Sequence, residues 1–231
     1  DGGTQPVTLE IVDDSGAVVR SFSSDAAGEF EVPIEGGMRE WRLERVGTPS
    51  LPTGPGAHRF TWDLRHAGPW DSNAQRSGRG GPMVSPGTYT ARVTAGDWSG
   101  SRTFEVRMDP RVVDEGISVA QIEQQTELAL EARDALSEAR LAAHRIGEAR
   151  QRGGGELADE VEEIERELVT APRRYSRPML VDQLQYLYGN LTRADQEPGA
   201  DAYQRYDTLN TALEDYIRRL ERLLRANAAD K

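Results

Sequence analysis

Near Met108 the spacing of apolar residues changes, and that change constrains the fold more than any other feature of the chain. Before it, apolar and β-branched residues alternate, as in half-buried strands; after it, they recur every three or four residues, as in helices. The stretch from Gly56 to Val106 carries the first pattern, as GAHRFTWDLR, a Gly/Pro-rich loop, SPGTYTARV and RTFEV. From Ser118 onward the second pattern holds. The switch predicts an α+β chain of two parts. Residues 1–110 form an antiparallel β-sandwich with an insert at about 23–55, and residues 111–231 form an antiparallel bundle of three to four helices.

In the first part, Val7 to Val12 and Ala17 to Phe22 read as a hairpin around Asp13-Asp14-Ser15-Gly16. Asp and Ser cap local N–H groups there, and Gly accepts a positive φ. Arg59 to Leu64 reads as a strand with Phe60, Trp62 and Leu64 on one face. Thr88 to Thr94 and Arg102 to Arg107 complete the set, with Pro86-Gly87 as a tight entry. Glu29 to Val32 and Trp41 to Leu43 suggest short edge strands in the insert. The prolines that follow keep Thr48 to Pro55 outside any ladder.

In the second part, Ser118 and Gln121 make a capping box. Ile122, Gln125, Ala129, Ala132, Leu136, Ala139, Ala143 and Ile146 then form an alanine-rich stripe that admits a close partner helix. Gly153-Gly154-Gly155 ends this helix. Leu157, Val161, Ile164 and Leu168 mark the next helix. Leu180, Leu184, Leu187 and Leu191 mark a third, with Pro178 at its start. Tyr206, Leu209, Leu213, Ile217, Leu220 and Leu224 mark the last.

Composition narrows the function classes. A net charge of −11 disfavours nucleic acid and anionic membrane surfaces, which call for concentrated basic residues. No apolar run approaches the roughly 18 residues of a membrane-spanning helix. The absence of cysteine excludes disulfides, thiol catalysis and Cys-based zinc sites. Lys231 is the only lysine among the basic residues, a mark of genome composition such as that of a high-GC bacterium. A start at Asp1, without Met or signal peptide, suits a processed product or a fragment.

The search for chemistry finds no catalytic constellation and calls for no cofactor or metal. His58 and His66 flank the Trp62 strand and could meet Asp63 or Asp71, but their spacing is not that of metal ligands. His144 reads as a surface residue on a helix flank. The acids of Glu156 to Glu167 fall on the solvated face of a helix. Ser77 to Pro82 lacks the helix and lysine of a phosphate cradle and reads as a flexible loop. The candidate binding residues are Arg65, Trp70 and Trp98. Arg65 and Trp70 lie in a loop leaving a strand, where ligand contacts often sit. The competing reading folds Trp70 back over the sheet edge or against the first helix.

Two resemblances follow from these motifs. The order VTLEIVDDSGAVVRSF, GAHRFTWDLR, VSPGTYTARVTAG resembles the immunoglobulin-like domain of flagellar hook-capping proteins, which implies an Ig/FnIII-like sandwich. With MDPRV, QIEQQTELALEARDALSEARLAAHRI and GADAYQRYDTLNTALEDYIRRLERLL added, nearly the whole chain is similar to the C-terminal region of large secreted bacterial proteins. Those proteins carry sortilin-like β-propellers of bacterial-neuraminidase repeats. The repeat motif Ser-x-Asp-x-Gly-x-x-Trp does not occur here, so no propeller activity carries over. The resemblance implies a non-enzymatic accessory module, secreted, periplasmic or on the cell surface. Its partner would be its own upstream propeller or another envelope protein. A carbohydrate-binding module and a self-assembling surface protein are the alternatives.

Overall fold

The computed structural model describes residues 6–25, 50–152 and 156–229. Among the described residues the chain is mixed α/β: a four-stranded antiparallel sheet and five helices. The strands are β1 (Val7–Val12), β2 (Val18–Ser23), β3 (Gly87–Ala95) and β4 (Trp98–Val106), in the order β2-β1-β3-β4. The helices are α1 (Pro110–Asp114), α2 (Val119–Arg152), α3 (Glu156–Leu168), α4 (Leu180–Leu191) and α5 (Ala200–Ala229). Among the described residues no helix is long and apolar enough to cross a membrane. The short strands expected at Glu29–Val32 and Trp41–Leu43 lie outside the described residues.

Local chemistry sets both hairpins. Between β1 and β2 the Asp13 carboxylate accepts the Ala17 N–H at 2.9 Å and the Ser15 hydroxyl at 2.7 Å, and Gly16 takes φ +88°. Between β3 and β4 the turn has two residues, with Gly96 at φ +59° in the first place, as tight hairpins prefer. One face of the sheet is apolar. Leu9, Ile11, Phe22 and Tyr89 are buried on it, and Ala91, Val93, Phe104 and Val106 pack beside them.

The segment Arg59–Leu64 covers that face but belongs to no strand, which corrects the strand expected there. Its side chains do alternate: Phe60, Trp62 and Leu64 turn inward while Thr61 and Asp63 stay exposed. Phe60 packs on Phe22 with ring centroids 4.5 Å apart, and Trp62 meets Tyr89 at 6.0 Å and Phe104 at 6.2 Å. One-sided burial alone imposes a period of two on any extended segment. The ladder that would make it a strand needs a neighbouring backbone along its length, and among the described residues only its last carbonyl, Leu64 O, meets one, the Val84 N–H at 2.9 Å.

The capping box is present: Gln121 Oε1 accepts the Ser118 N–H at 2.8 Å, and Ser118 Oγ accepts the Gln121 N–H at 3.3 Å. Helices α2 to α5 share one core. Ala129, Ala132, Leu136, Ala139 and Ile146 of α2 are buried there with Val161, Ile164 and Leu168 of α3. Leu184 and Leu187 of α4 and Leu209, Leu213 and Leu220 of α5 complete it. Gln125 interrupts the apolar stripe for a reason. Its amide donates to the carbonyls of Leu191 and Ala194 at 2.8 and 2.5 Å and accepts the Gln196 N–H at 3.0 Å. It thereby holds the chain leaving α4, whose last carbonyls have no partner within the helix.

The alanine seam yields a direct test. Ala139→Leu adds volume where no solvent-accessible surface remains. It should cost about 1–3 kcal/mol in urea unfolding. Ala120→Leu, at an exposed position of the same helix, should change stability by less than about 0.5 kcal/mol.

Candidate functional site

Residues 64–84 form an irregular antiparallel ribbon between sheet and helices. Its arms are joined by Val84 N–H to Leu64 O (2.9 Å), His66 N–H to Pro82 O (2.9 Å) and Gly68 N–H to Gly78 O (2.8 Å). The arms lie so close that glycine is obligatory at two places. A Cβ on Gly68 would stand 1.9 Å from Arg79 O, and one on Gly81 1.9 Å from His66 O. At the tip, Asp71 accepts the Asn73 N–H at 2.9 Å and pairs with Arg76 at 2.9 Å. Burial pushes the Asp71 pKa up, but the Arg76 and Asn73 hydrogen bonds and the nearby Arg140 charge outweigh it, so the group titrates below the usual range.

The ribbon is packed into the molecule, which corrects the flexible loop expected at Ser77–Pro82: Ser77 and Pro82 are fully buried. Buried irregular backbone must still place its hydrogen bonds. Here long side chains from both layers supply the donors. From the sheet, Arg20 Nη1 donates to His66 O at 2.7 Å. From within the ribbon, Arg65 Nη1 donates to Gly81 O at 2.8 Å. From α2, Arg133 Nη1 donates to Ala67 O at 3.3 Å and Arg140 Nη1 to Trp70 O at 3.1 Å. From α4, the Tyr188 hydroxyl donates to Gly80 O at 2.5 Å. Burial lowers the pKa of Arg20 and of Arg140, and pushes the Tyr188 hydroxyl up to about 12.

The three candidate binding residues do not converge. Trp70 is 5% exposed. Its backbone N–H donates to Ser137 Oγ on α2 at 2.9 Å, and its ring lies 5.7 Å from that of His144. Of the two readings of Trp70, docking against the first long helix describes its position. Arg65 lies near the Val106 end of β4, where a cleft of about 630 Å³ also includes Met83, Asp109 and Gln125. Trp98 opens β4 at the other end, some 26 Å away at strand rise. It is 61% exposed, with its ring over Gly100.

Other candidates have plainer roles. His58 Nε2 is 2.6 Å from Gly54 O, and among the described residues no three His, Cys, Asp or Glu side chains gather as a metal site. His144 is partly exposed beside Glu148 at 3.6 Å. Glu165 and Glu167 pair with Arg150 and Arg219 at 2.6 and 2.8 Å on the helical surface. A groove of about 820 Å³ lies along α5, lined by Tyr216, Arg218, Arg219 and Arg222. Arg218 and Arg219 are already paired with carboxylates.

Sequence reasoning passes over Arg133, Ser137 and Arg140, and reads the fourth residue of their row, His144, as a surface residue. Their 4-3-4 spacing places them on one face of α2 beside the alanine seam. Comparison with protein-family models, curated proteins and solved structures finds no match to this chain.

Two predictions follow from the ribbon. Gly81→Ala must part its arms and should cost about 3 kcal/mol or more. Gly147→Ala, inside α2 with nothing within 4 Å of the new methyl, should instead stabilise by up to about 1 kcal/mol. The second concerns His66. Burial, then the Arg133 and Arg20 charges, lower its pKa from 6.5 to about 4 against the opposing pull of Asp13. The unfolded chain therefore binds a proton that the folded chain refuses. The stability at stake is present above pH 6.5 and falls away as pH drops toward 4, by up to about 3 kcal/mol. Urea unfolding between pH 7 and 4.5 should show a smaller acid loss for His66→Gln than for the parent; equal losses would contradict this assignment.

Proposed function

We propose that this chain is a non-catalytic accessory module of a secreted or cell-envelope β-propeller protein, with a structural docking role. In this reading the sheet layer is an Ig/FnIII-like sandwich whose second layer is reduced to the extended cover at Arg59–Leu64. Helices α2 to α5 are an antiparallel bundle. The observation that carries the proposal is the ribbon. The loop that held the best sequence candidates for ligand contact spends its polar groups on joining two layers, as a scaffold requires. The resemblance to the C-terminal regions of sortilin-like propeller proteins supplies the parent and the location outside the cytoplasm.

Two alternatives each keep one supporting observation. A carbohydrate-binding role is favoured by Trp98, which offers an exposed ring on the sheet. Self-assembly is favoured by β4, a nine-residue strand at the edge of the sheet among the described residues. Interferometry with the separately purified propeller encoded by the same reading frame should give saturable binding to this chain. Absence of binding would remove the docking role. Trp98 fluorescence quenched by polysaccharide, or a second sedimenting species, would move the assignment to the corresponding alternative.

A further inference from the structure

The connection between α3 and α4 carries Arg173-Arg174-Tyr175-Ser176-Arg177, and its side chains face solvent except for the half-buried Ser176. Among the described residues, Arg173, Arg174 and Arg177 make no ion pair. On the neighbouring helices most differ: Arg150, Arg166, Arg218, Arg219 and Arg225 are each paired to a carboxylate, and Arg205 and Arg222 donate to Gln183 Oε1 and Arg218 O. In a chain of net charge −11, three uncompensated guanidiniums on five residues form a local positive tip.

The tip has a defined backbone. Thr170 Oγ1 accepts the Met179 N–H at 2.8 Å and closes its base. Ser176 Oγ donates to Arg173 O at 3.0 Å, and Arg173 N–H donates to Ala171 O at 2.7 Å. Tyr175 sits at φ +65°, in the left-handed region that a bulky residue enters at a cost. It is 90% exposed, so its ring recovers little of that cost by packing. The Arg174 guanidinium lies 5.1 Å from the ring centroid. Tyr and Arg side by side, held in place before binding, make the composition that dominates protein–protein contacts.

We propose that residues 173–177 dock an acidic peptide segment of a partner protein, with Tyr175 as the anchor and Arg173, Arg174 and Arg177 as carboxylate contacts. The proposal rests on the interaction-module reading and names the chemistry of its partner. The size of the tip favours a short segment. A long polyanion would run onto the acidic faces of α3 and α5, whereas a peptide of a few residues stays within the positive field.

The test uses the full chain and a fluorescein-labelled peptide of four Asp-Glu-Leu repeats, followed by anisotropy. Binding should be saturable and should weaken with salt. Arg174→Gln with Arg177→Gln should weaken it at least about tenfold, the loss of some 1.4 kcal/mol or more. Tyr175→Asn keeps the charge and suits the left-handed backbone; it should also weaken binding about tenfold while leaving the melting temperature unchanged or higher. Arg218→Gln with Arg222→Gln, in the α5 groove, should leave affinity unaltered. No binding, or binding indifferent to Tyr175→Asn, would overturn the proposal. So would heparin held by the same loop in preference to the peptide, or self-association abolished by the loop variants. Peptide binding without propeller binding would sink the docking reading and leave this one standing; the reverse result would do the opposite.

Discussion

The structure depends on how the carbonyls of the partly buried 64–84 ribbon are satisfied. A loop ordinarily stays at the surface because its backbone cannot be left unpaired in the interior. The parts of this one that lie between sheet and helices, around Gly68 to Trp70, Ser77 to Gly78 and Gly81 to Pro82, are buried, and side chains deliver donors to its oxygens. Four are guanidiniums and one is a phenol. Each has the reach to cross a layer, and each carries a stem or ring that packs as it does so. The hydrogen bonds hold the sheet, through Arg20, to the same ribbon that α2 and α4 hold through Arg133, Arg140 and Tyr188.

The elements with an internal period were legible in the sequence. The stripes of α2 to α5, the Ser118 capping box and the Asp13 turn are local patterns, and local physics places them. Arg59–Leu64 marks the limit of that reading. Alternation reports which side of an extended chain is buried and says nothing about a neighbouring backbone. Phe60, Trp62 and Leu64 therefore look the same in a strand and in an unpaired cover.

The candidate site was less legible, for a related reason. Arg133, Ser137 and Arg140 look like an ordinary solvated helix face, since their partners lie some 66 to 70 residues earlier in the chain. Ser77 to Pro82 looks like a flexible loop because glycine and serine are read as solvent-loving. In the folded chain, Gly68 and Gly81 serve close backbone approach instead. The residue that did signal the ribbon was Trp70, and the signal was ambiguous. A large aromatic beside an arginine suits a ligand contact and an interlayer anchor equally well, and burial decides between them.

Arginine has two separable tasks in this molecule, and charge compensation distinguishes them. In the ribbon, burial penalises the Arg20 and Arg140 guanidiniums, and a carbonyl, with Asp71 beside Arg140 at 3.6 Å, offsets the penalty. On the helical surface most guanidiniums rest against carboxylates and add little to stability. The 173–177 tip fits neither pattern. Its charges are exposed, uncompensated among the described residues, and mounted on a backbone conformation that costs free energy. A fold that only had to stand would be served as well by glycine or asparagine at Tyr175. Tyrosine there costs free energy that stability does not recover, and the proposed peptide contact is what would offset it.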